Sequence, residues 1–208
     1  MPRPRSLTPV LLAKAALTVI ERYGAFDLSM RAVAEELGMG TMSLYRYVQS
    51  RGQLEALVVD LVLDPGHGGP DADVTRYKGW VDKVTQLALR AHAAATEHPA
   101  VTPLLLAHRH ASIHTLRWSE AMLGVLAEAG FAGERRVIAF RTIVAYVFGA
   151  MQLEHFAPLR GKGTEAIAAL PRDAFPLLAE TAKSARKISP DAEFLNGLKL
   201  VLRGIAAR

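Results

Sequence analysis

The tripeptide Gly38-Met39-Gly40 restricts the possible folds of this chain more than any other feature. It stands between two segments with helical apolar spacing, and glycines on both sides of one residue permit a sharp change of direction. Before it, Ser29 has the chemistry of an N-cap, and Met30, Val33, Ala34 and Leu37 recur at the spacing of one buried helix face. After it, the run from Thr41 predicts a third helix from 41 to about 48. An earlier helix starts at Thr8-Pro9, with threonine as cap and proline at the first helical position, where its missing N–H costs nothing. Ala13, Ala16, Leu17 and Ile20 give that helix its inner face, and Gly24 ends it. Three short helices with a glycine turn before the third outline a helix-turn-helix.

Wheel phase shows what the third helix offers. At about 100° per residue, Leu44 and Val48 share the inward direction. Met42, Ser43 and Arg46 lie roughly opposite, Thr41 sits in the first turn, and Tyr45 and Tyr47 fall on the flanks, with the small core as the other place for Tyr47. Arginine reads the O6 and N7 edge of guanine, hydroxyls read either kind of edge, and apolar groups touch a thymine methyl. Phenols on the flanks would meet phosphates. The next helix opens at Ser50-Arg51, where free backbone N–H groups and a cation converge, and Arg31 early in the second helix reaches a phosphate or the outermost base. Arg3 and Arg5 would form an arm on phosphate or the minor groove.

Charge agrees with this reading. Of the formal +5, a net +3 lies in residues 1 to 51, which hold seven Lys/Arg against four acids. The chain has 208 residues, half of them hydrophobic, enough for a sizeable core. It has no cysteine, which excludes disulfides, thiolate metal sites and a cysteine nucleophile. Arg3 and Arg5 are not followed by the apolar segment of a secretory signal, and charge interrupts the apolar runs. An intracellular, cytoplasmic protein without a membrane partner is expected.

Ser50 and Gln53 form a capping box for the fourth helix, whose stripe is Leu54, Leu57, Val58 and Leu61. The segment DPGHGGP, residues 64 to 70, breaks every pattern and marks a domain boundary or hinge. Beyond it, helices are expected from Tyr77 to about 97, around Leu104, from about Ile113 to Ala129, over 134 to 156, over 172 to 187, and from Pro190 onward, with a looser stretch containing Gly161 and Gly163. Residues 134 to 156 are apolar on nearly every side, which predicts burial all round. No period-2 pattern persists, so the chain reads as all-α: an N-terminal three-helix helix-turn-helix domain followed by a C-terminal helical bundle, whose ligand-binding and dimerisation roles are expected from the residues and the resemblance given below.

One helix-turn-helix makes too little contact for a tight complex, so a homodimer on double-stranded operator DNA is expected. Its seams would be the 134 to 156 helix, where Ala145 and Gly149 permit close approach, and the last helix from Phe194 to Ile205, unless both are buried within one subunit. Trp80, Trp118, Met122 and Tyr146 together with Met151, His155 and Phe156 have the makeup of a small-molecule cavity. Arg141 meets either an anionic ligand or an acid across the bundle. His110 and His114 lie one turn apart, but His108 projects elsewhere and no carboxylate shares their face, so no metal or other cofactor is expected. The chain lacks a G-x-S-x-G elbow, a phosphate loop and an H-E-x-x-H motif, which argues against an enzyme.

The segment LSMRAVAEELGMGTMSLYRYVQSRGQLEALV, residues 28 to 58, resembles the N-terminal signature of the tetracycline-repressor (TetR) family of bacterial transcription regulators. RYKGWVDKV, EHPAVTPLLL, LRWSEAMLGVLAEAGF and AYVFGAMQLEHF are similar to the C-terminal domain of its tetracycline-repressor branch. The resemblance implies a helical homodimer, base contacts from Thr41, Met42, Ser43 and Arg46, and phosphate contacts from Tyr45, Arg31 and Arg51. Tyr47 stands where the family often has histidine and Arg51 where it often has lysine, and the metal-binding histidine of the namesake has no secure counterpart. The expected division is residues 1–51 for DNA and 52–208 for effector and dimerisation, with the fourth helix joining them. The function so implied is a repressor released from its operator by a small apolar molecule. The alternatives are a DNA-binding regulator without such an effector and a helical small-molecule-binding protein.

Overall fold

The computed structural model describes residues 7–67 and 71–207, so Arg3, Arg5 and the last three residues of the 64 to 70 segment lie outside it. Every regular element among the described residues is helical. The chain runs α1 (Pro9–Tyr23), α2 (Met30–Glu36), α3 (Thr41–Leu44), α4 (Arg51–Val62), α5 (Trp80–Glu97) and α6 (Thr102–Ala107). It continues with α7 (Ile113–Glu128), α8 (Gly133–Phe156), α9 (Lys162–Ala168), α10 (Pro176–Ala185) and α11 (Pro190–Ala206). It divides into two compact units, residues 1–74 with 90–121 and residues 75–89 with 122–208. This division by compactness runs across the chain differently from the expected functional division after residue 51.

Local chemistry sets the helix limits in the first unit. Thr8 Oγ1 accepts the N–H of Leu11 at 3.2 Å, and Ser29 Oγ accepts that of Ala32 at 3.1 Å. Ser50 Oγ accepts the N–H of Gln53 at 3.2 Å, but Gln53 Oε1 reaches back to the N–H of Gln49 at 2.8 Å, which closes the box one residue earlier than the motif predicts. Gly38 has φ +65°, the Gly38 N–H reaches the Glu35 carbonyl at 3.0 Å, and the Met39 N–H reaches that of Ala34 at 2.9 Å. This paired closure ends α2 and needs a left-handed residue at position 38. Gly40 has φ −74° and caps α3 in extended conformation, so the turn depends on the first glycine. Packing of α1 on α2 and α4 buries Leu12, Ala16, Val19, Ile20, Leu54 and Val58, with Leu28 and Val33 closing the core.

In the second unit α8 packs on α11, and α9 on α10. On α8 only Ala139, Ile143, Val147 and Met151 are buried, one i, i+4 stripe. The opposite stripe, Ile138, Ala145, Gly149, Leu153 and Phe156, is exposed, so the all-round burial expected from sequence is not met within one chain. A helix buries only the face that its neighbours cover, whatever the chemistry of the other. By length and composition α8 is also apolar enough to cross a membrane, although Arg141 and Glu154 interrupt it as the sequence suggests. Other limits differ as well, and the helix expected over 172 to 187 is confined to α10, Pro176–Ala185. The fifth helix begins at Trp80, after Gly79 at φ +77°, and the stretch expected to be loose contains α9.

Candidate nucleic-acid interface

The residues that α3 buries determine what it presents. Leu44 and Val48 are completely buried, which turns the opposite side of this segment to solvent. Regular α-helix ends at Leu44 rather than near 48. Beyond it the chain tightens, with Tyr47 N–H bonded to the Leu44 carbonyl at 2.9 Å and Arg46 N–H to that of Ser43 at 3.4 Å. Met42 is 81% exposed, Tyr45 46% and Tyr47 44%, while Thr41 and Ser43 are half-buried at the base of the same surface. The exposed Arg46 guanidinium makes no hydrogen bond or ion pair among the described residues. The surface thus carries a free bidentate donor and a thioether between two phenols, the groups that base edges and phosphates accept. Tyr47 lies on the flank and not in the core.

The two outlying arginines differ. Arg31 is exposed beside this surface, its Nε donating to Glu35 Oε1 at 2.8 Å, an i, i+4 pair that leaves the rest of the guanidinium accessible. Arg51 turns inward. Its Nη1 and Nη2 donate to the carbonyls of Phe26 and Ala25 at 3.1 and 3.0 Å, and its Nε donates to Glu55 Oε1 at 2.7 Å. It therefore ties the start of α4 to the turn after α1. Glu55 also meets His108 Nε2 at 2.8 Å through its second oxygen. Sequence reading missed Glu55. The spacing Arg51-x-x-x-Glu55 was its only local signal, and the carbonyls that hold Arg51 come from 25 residues earlier.

The residues expected around a small molecule occupy varied settings. Trp118 is buried in the first unit, and Met122 and Met151 are buried in the second. Trp80 meets Phe131 edge-on at 5.2 Å, and His155 meets Phe156 at 4.6 Å. Arg141 is exposed. The Tyr146 hydroxyl donates to the Phe194 carbonyl at 2.7 Å, and burial, followed by the nearby Glu193 carboxylate, pushes the phenol above its ordinary range. Within the second unit a groove of about 630 Å³ lies between α8 and α11, walled by Phe131, Ile138, Leu200, Val201 and Ile205, with Glu134 and Arg135 at its edge. None of the eight expected residues lines it.

Residues 75–208 match the family model described as the tetracyclin repressor-like C-terminal domain. The chain belongs to the tetracycline-repressor family. The family and the all-α fold, both expected from sequence, are thereby established. The chain is 32% identical over 149 residues to the HTH-type transcriptional repressor DrrR1 of Streptomyces coeruleorubidus, a match covering 72% of this chain and 54% of that protein. The tetracycline repressor class A of transposon 1721 from Escherichia coli is 28% identical over 207 residues, covering 97% and 92%. In the first two curated relatives the chain spans only 54% and 61% of the partner's length. Among solved structures, a possible TetR family regulator from Streptomyces coelicolor A3(2) superposes with TM-score 0.84 at 25% identity, covering 96% and 99%. The Streptomyces coelicolor TetR family protein ActR in complex with (S)-DNPA superposes with TM-score 0.80 at 22% identity, covering 98% and 99%, a likeness of fold.

Proposed function

We propose that this TetR family member is a transcriptional repressor that reads operator DNA as a homodimer and leaves it when a small, largely apolar molecule binds. The observation that carries the reading is the surface around α3, where Met42 and Arg46, which is unpartnered among the described residues, face solvent between Tyr45 and Tyr47 while Leu44 and Val48 are fully buried. Thr41, Ser43 and Arg46 contact base edges, Met42 a thymine methyl, and Tyr45, Tyr47 and Arg31 the phosphates. Arg51 acts from behind, by fixing the start of α4. Residues 1–51 form the DNA-reading part and residues 52–208 the effector-binding and dimerisation part.

The exposed stripe of α8 supports the dimer. Ala145 and Gly149 give a second copy a close approach, and the groove beside Leu200 takes side chains from the partner's α8 and α11. Two reading heads then address successive major grooves about 34 to 36 Å apart. An effector releases DNA only by favouring another arrangement of the heads, so operator and effector must weaken each other by the same factor. The relatives support a regulator: DrrR1 carries the name of a transcriptional repressor, and ActR was solved with a small molecule.

The test is a salt-dependent gel shift on the DNA flanking the protein's own gene. Arg46→Ala should relax preference at one base pair of each half-site at a cost of about 1 to 3 kcal/mol per contact. Equal losses on specific and random duplex would remove Arg46 from base reading, and absence of a shift by the wild-type protein would end the DNA assignment.

A further inference from the structure

Exposure separates the methionines of this chain. There are six of them and no cysteine, so thioethers are the only sulfur groups that an oxidant can reach. Met30, Met122 and Met151 are buried, Met39 is half-buried in the turn before α3, and Met1 lies outside the described residues. Met42 is 81% exposed, while Thr41 and Ser43 on either side of it are half-buried. Accessibility decides which methionines are oxidised, and here it singles out the one thioether that belongs to the reading surface.

The backbone beneath Met42 is ordered. The Leu44 N–H reaches the Gly40 carbonyl at 3.2 Å, the Tyr45 N–H reaches that of Thr41 at 3.3 Å, and Leu44 and Val48 anchor the segment in the core. An atom added to the Met42 sulfur therefore arrives at a defined place on the reading surface. Four residues on, the exposed Arg46 guanidinium makes no hydrogen bond or ion pair among the described residues, so its donors are open to an acceptor formed on Met42.

We propose that Met42 is an oxidation switch: a hydroperoxide converts its thioether to the sulfoxide, and the oxidised reading surface loses its operator. The sulfur attacks one peroxide oxygen, an S–O bond forms as the O–O bond breaks, and the proton passes to the departing oxygen, which leaves hydrogen peroxide as water. Sulfur gives up two electrons and the peroxide takes them. A thioether suits a thymine methyl, whereas a sulfoxide buries a polar oxygen against that methyl with no donor facing it. The new oxygen also competes with guanine O6 and N7 for Arg46. Bound operator covers the surface, so oxidation takes place on free protein and withdraws each oxidised molecule from the binding equilibrium. Methionine sulfoxide reductases reverse the change, with thiols as reductant and the oxygen leaving as water. The inference rests on DNA reading by the α3 surface and adds a control that needs no effector.

The experiment treats the full-length protein with hydrogen peroxide, stops the reaction with catalase, and follows every methionine by peptide mass spectrometry. Gel shifts on the duplex flanking its gene and on a random duplex follow binding. Met42 should gain its oxygen before Met39 and well before Met122 and Met151, and an excess of the specific duplex should slow it. With Met42 oxidised and the buried methionines intact, affinity for the specific duplex should fall by about tenfold. The random duplex, held through its phosphates, should bind as before. The two reductases, one for each sulfoxide epimer, should together restore specific binding. Met39→Leu should keep the response to peroxide, and Met42→Leu, whatever its own starting affinity, should lose it. Oxidation of the buried methionines ahead of Met42 overturns the switch, as does a Met42→Leu variant that still weakens. A wild-type protein that shifts no operator before treatment ends DNA reading and the switch together, whereas a normal shift that survives complete oxidation of Met42 ends the switch alone.

Discussion

Gly197→Ala should destabilise this protein, against the usual direction for glycine in a helix. Gly197 lies within α11, where alanine is normally better by about 0.8 to 1 kcal/mol. Here an added Cβ would overlap the Tyr146 hydroxyl and stand 2.8 and 2.9 Å from Cζ and Cε2 of the same ring. That ring cannot simply withdraw. Its hydroxyl donates to the Phe194 carbonyl at 2.7 Å, and its face lies 5.8 Å from the Phe194 ring. Overpacking of this kind costs about 1 to 3 kcal/mol, and displacing the ring instead forfeits about 0.5 to 1.5 kcal/mol of hydrogen bonding. After subtraction of the propensity gain, overpacking leaves Gly197→Ala a net loss of up to about 2 kcal/mol. In a Tyr146→Ala background the obstacle is gone, and the same change should stabilise by about 0.8 to 1 kcal/mol. Tyr146→Phe should fall between, because the ring carbons remain. Urea denaturation at one fixed protein concentration reads all four members of the cycle, the concentration being held because a dimer gains stability by mass action. The same sign for Gly197→Ala in both backgrounds would refute the reasoning.

Gly149→Arg places a long cation in the exposed stripe of α8 and should give a monomer by sedimentation that no longer shifts operator, whereas an unchanged mass would move the interface elsewhere. Glu193 is pushed above its ordinary value by burial first and Glu154 second, so its charged form is disfavoured in the fold. The stability this lends is complete below the unfolded value and is lost as pH rises through the folded one. Glu193→Gln should therefore stabilise at neutral pH, with the gain disappearing on acidification, and a pH-independent difference in melting temperature would contradict this. Arg51→Ala should cost about 1 to 3 kcal/mol of stability through its three lost bonds. It should leave the slope of operator affinity against salt unchanged, and a slope lower by about one would return Arg51 to the phosphates.

The sequence by itself determined the elements of the reading unit, because their causes are local. Thr8, Ser29 and Ser50 cap helices through N–H groups three residues away, and Gly38 supplies the one left-handed conformation that the turn requires. Wheel phase separated Leu44 and Val48 from Met42 and Arg46 because burial of one face leaves the opposite face outside, even though regular helix stops at Leu44. Tertiary structure decided what depends on distant partners. Arg51 is a cation at a helix start by sequence, and only the tertiary structure brings it the carbonyls, 25 and 26 residues away, that hold it to the turn after α1. Nothing in the sequence links Tyr146 to Gly197, and the fold sets the Tyr146 ring against that glycine with its hydroxyl bonded to the Phe194 carbonyl. The apolar sides of α8 are equivalent by composition, and contact with α11 chose the one buried within a single chain. Hydrophobic burial has no direction of its own, so periodicity shows that a face will be covered, while the assembled neighbours determine which face and by what.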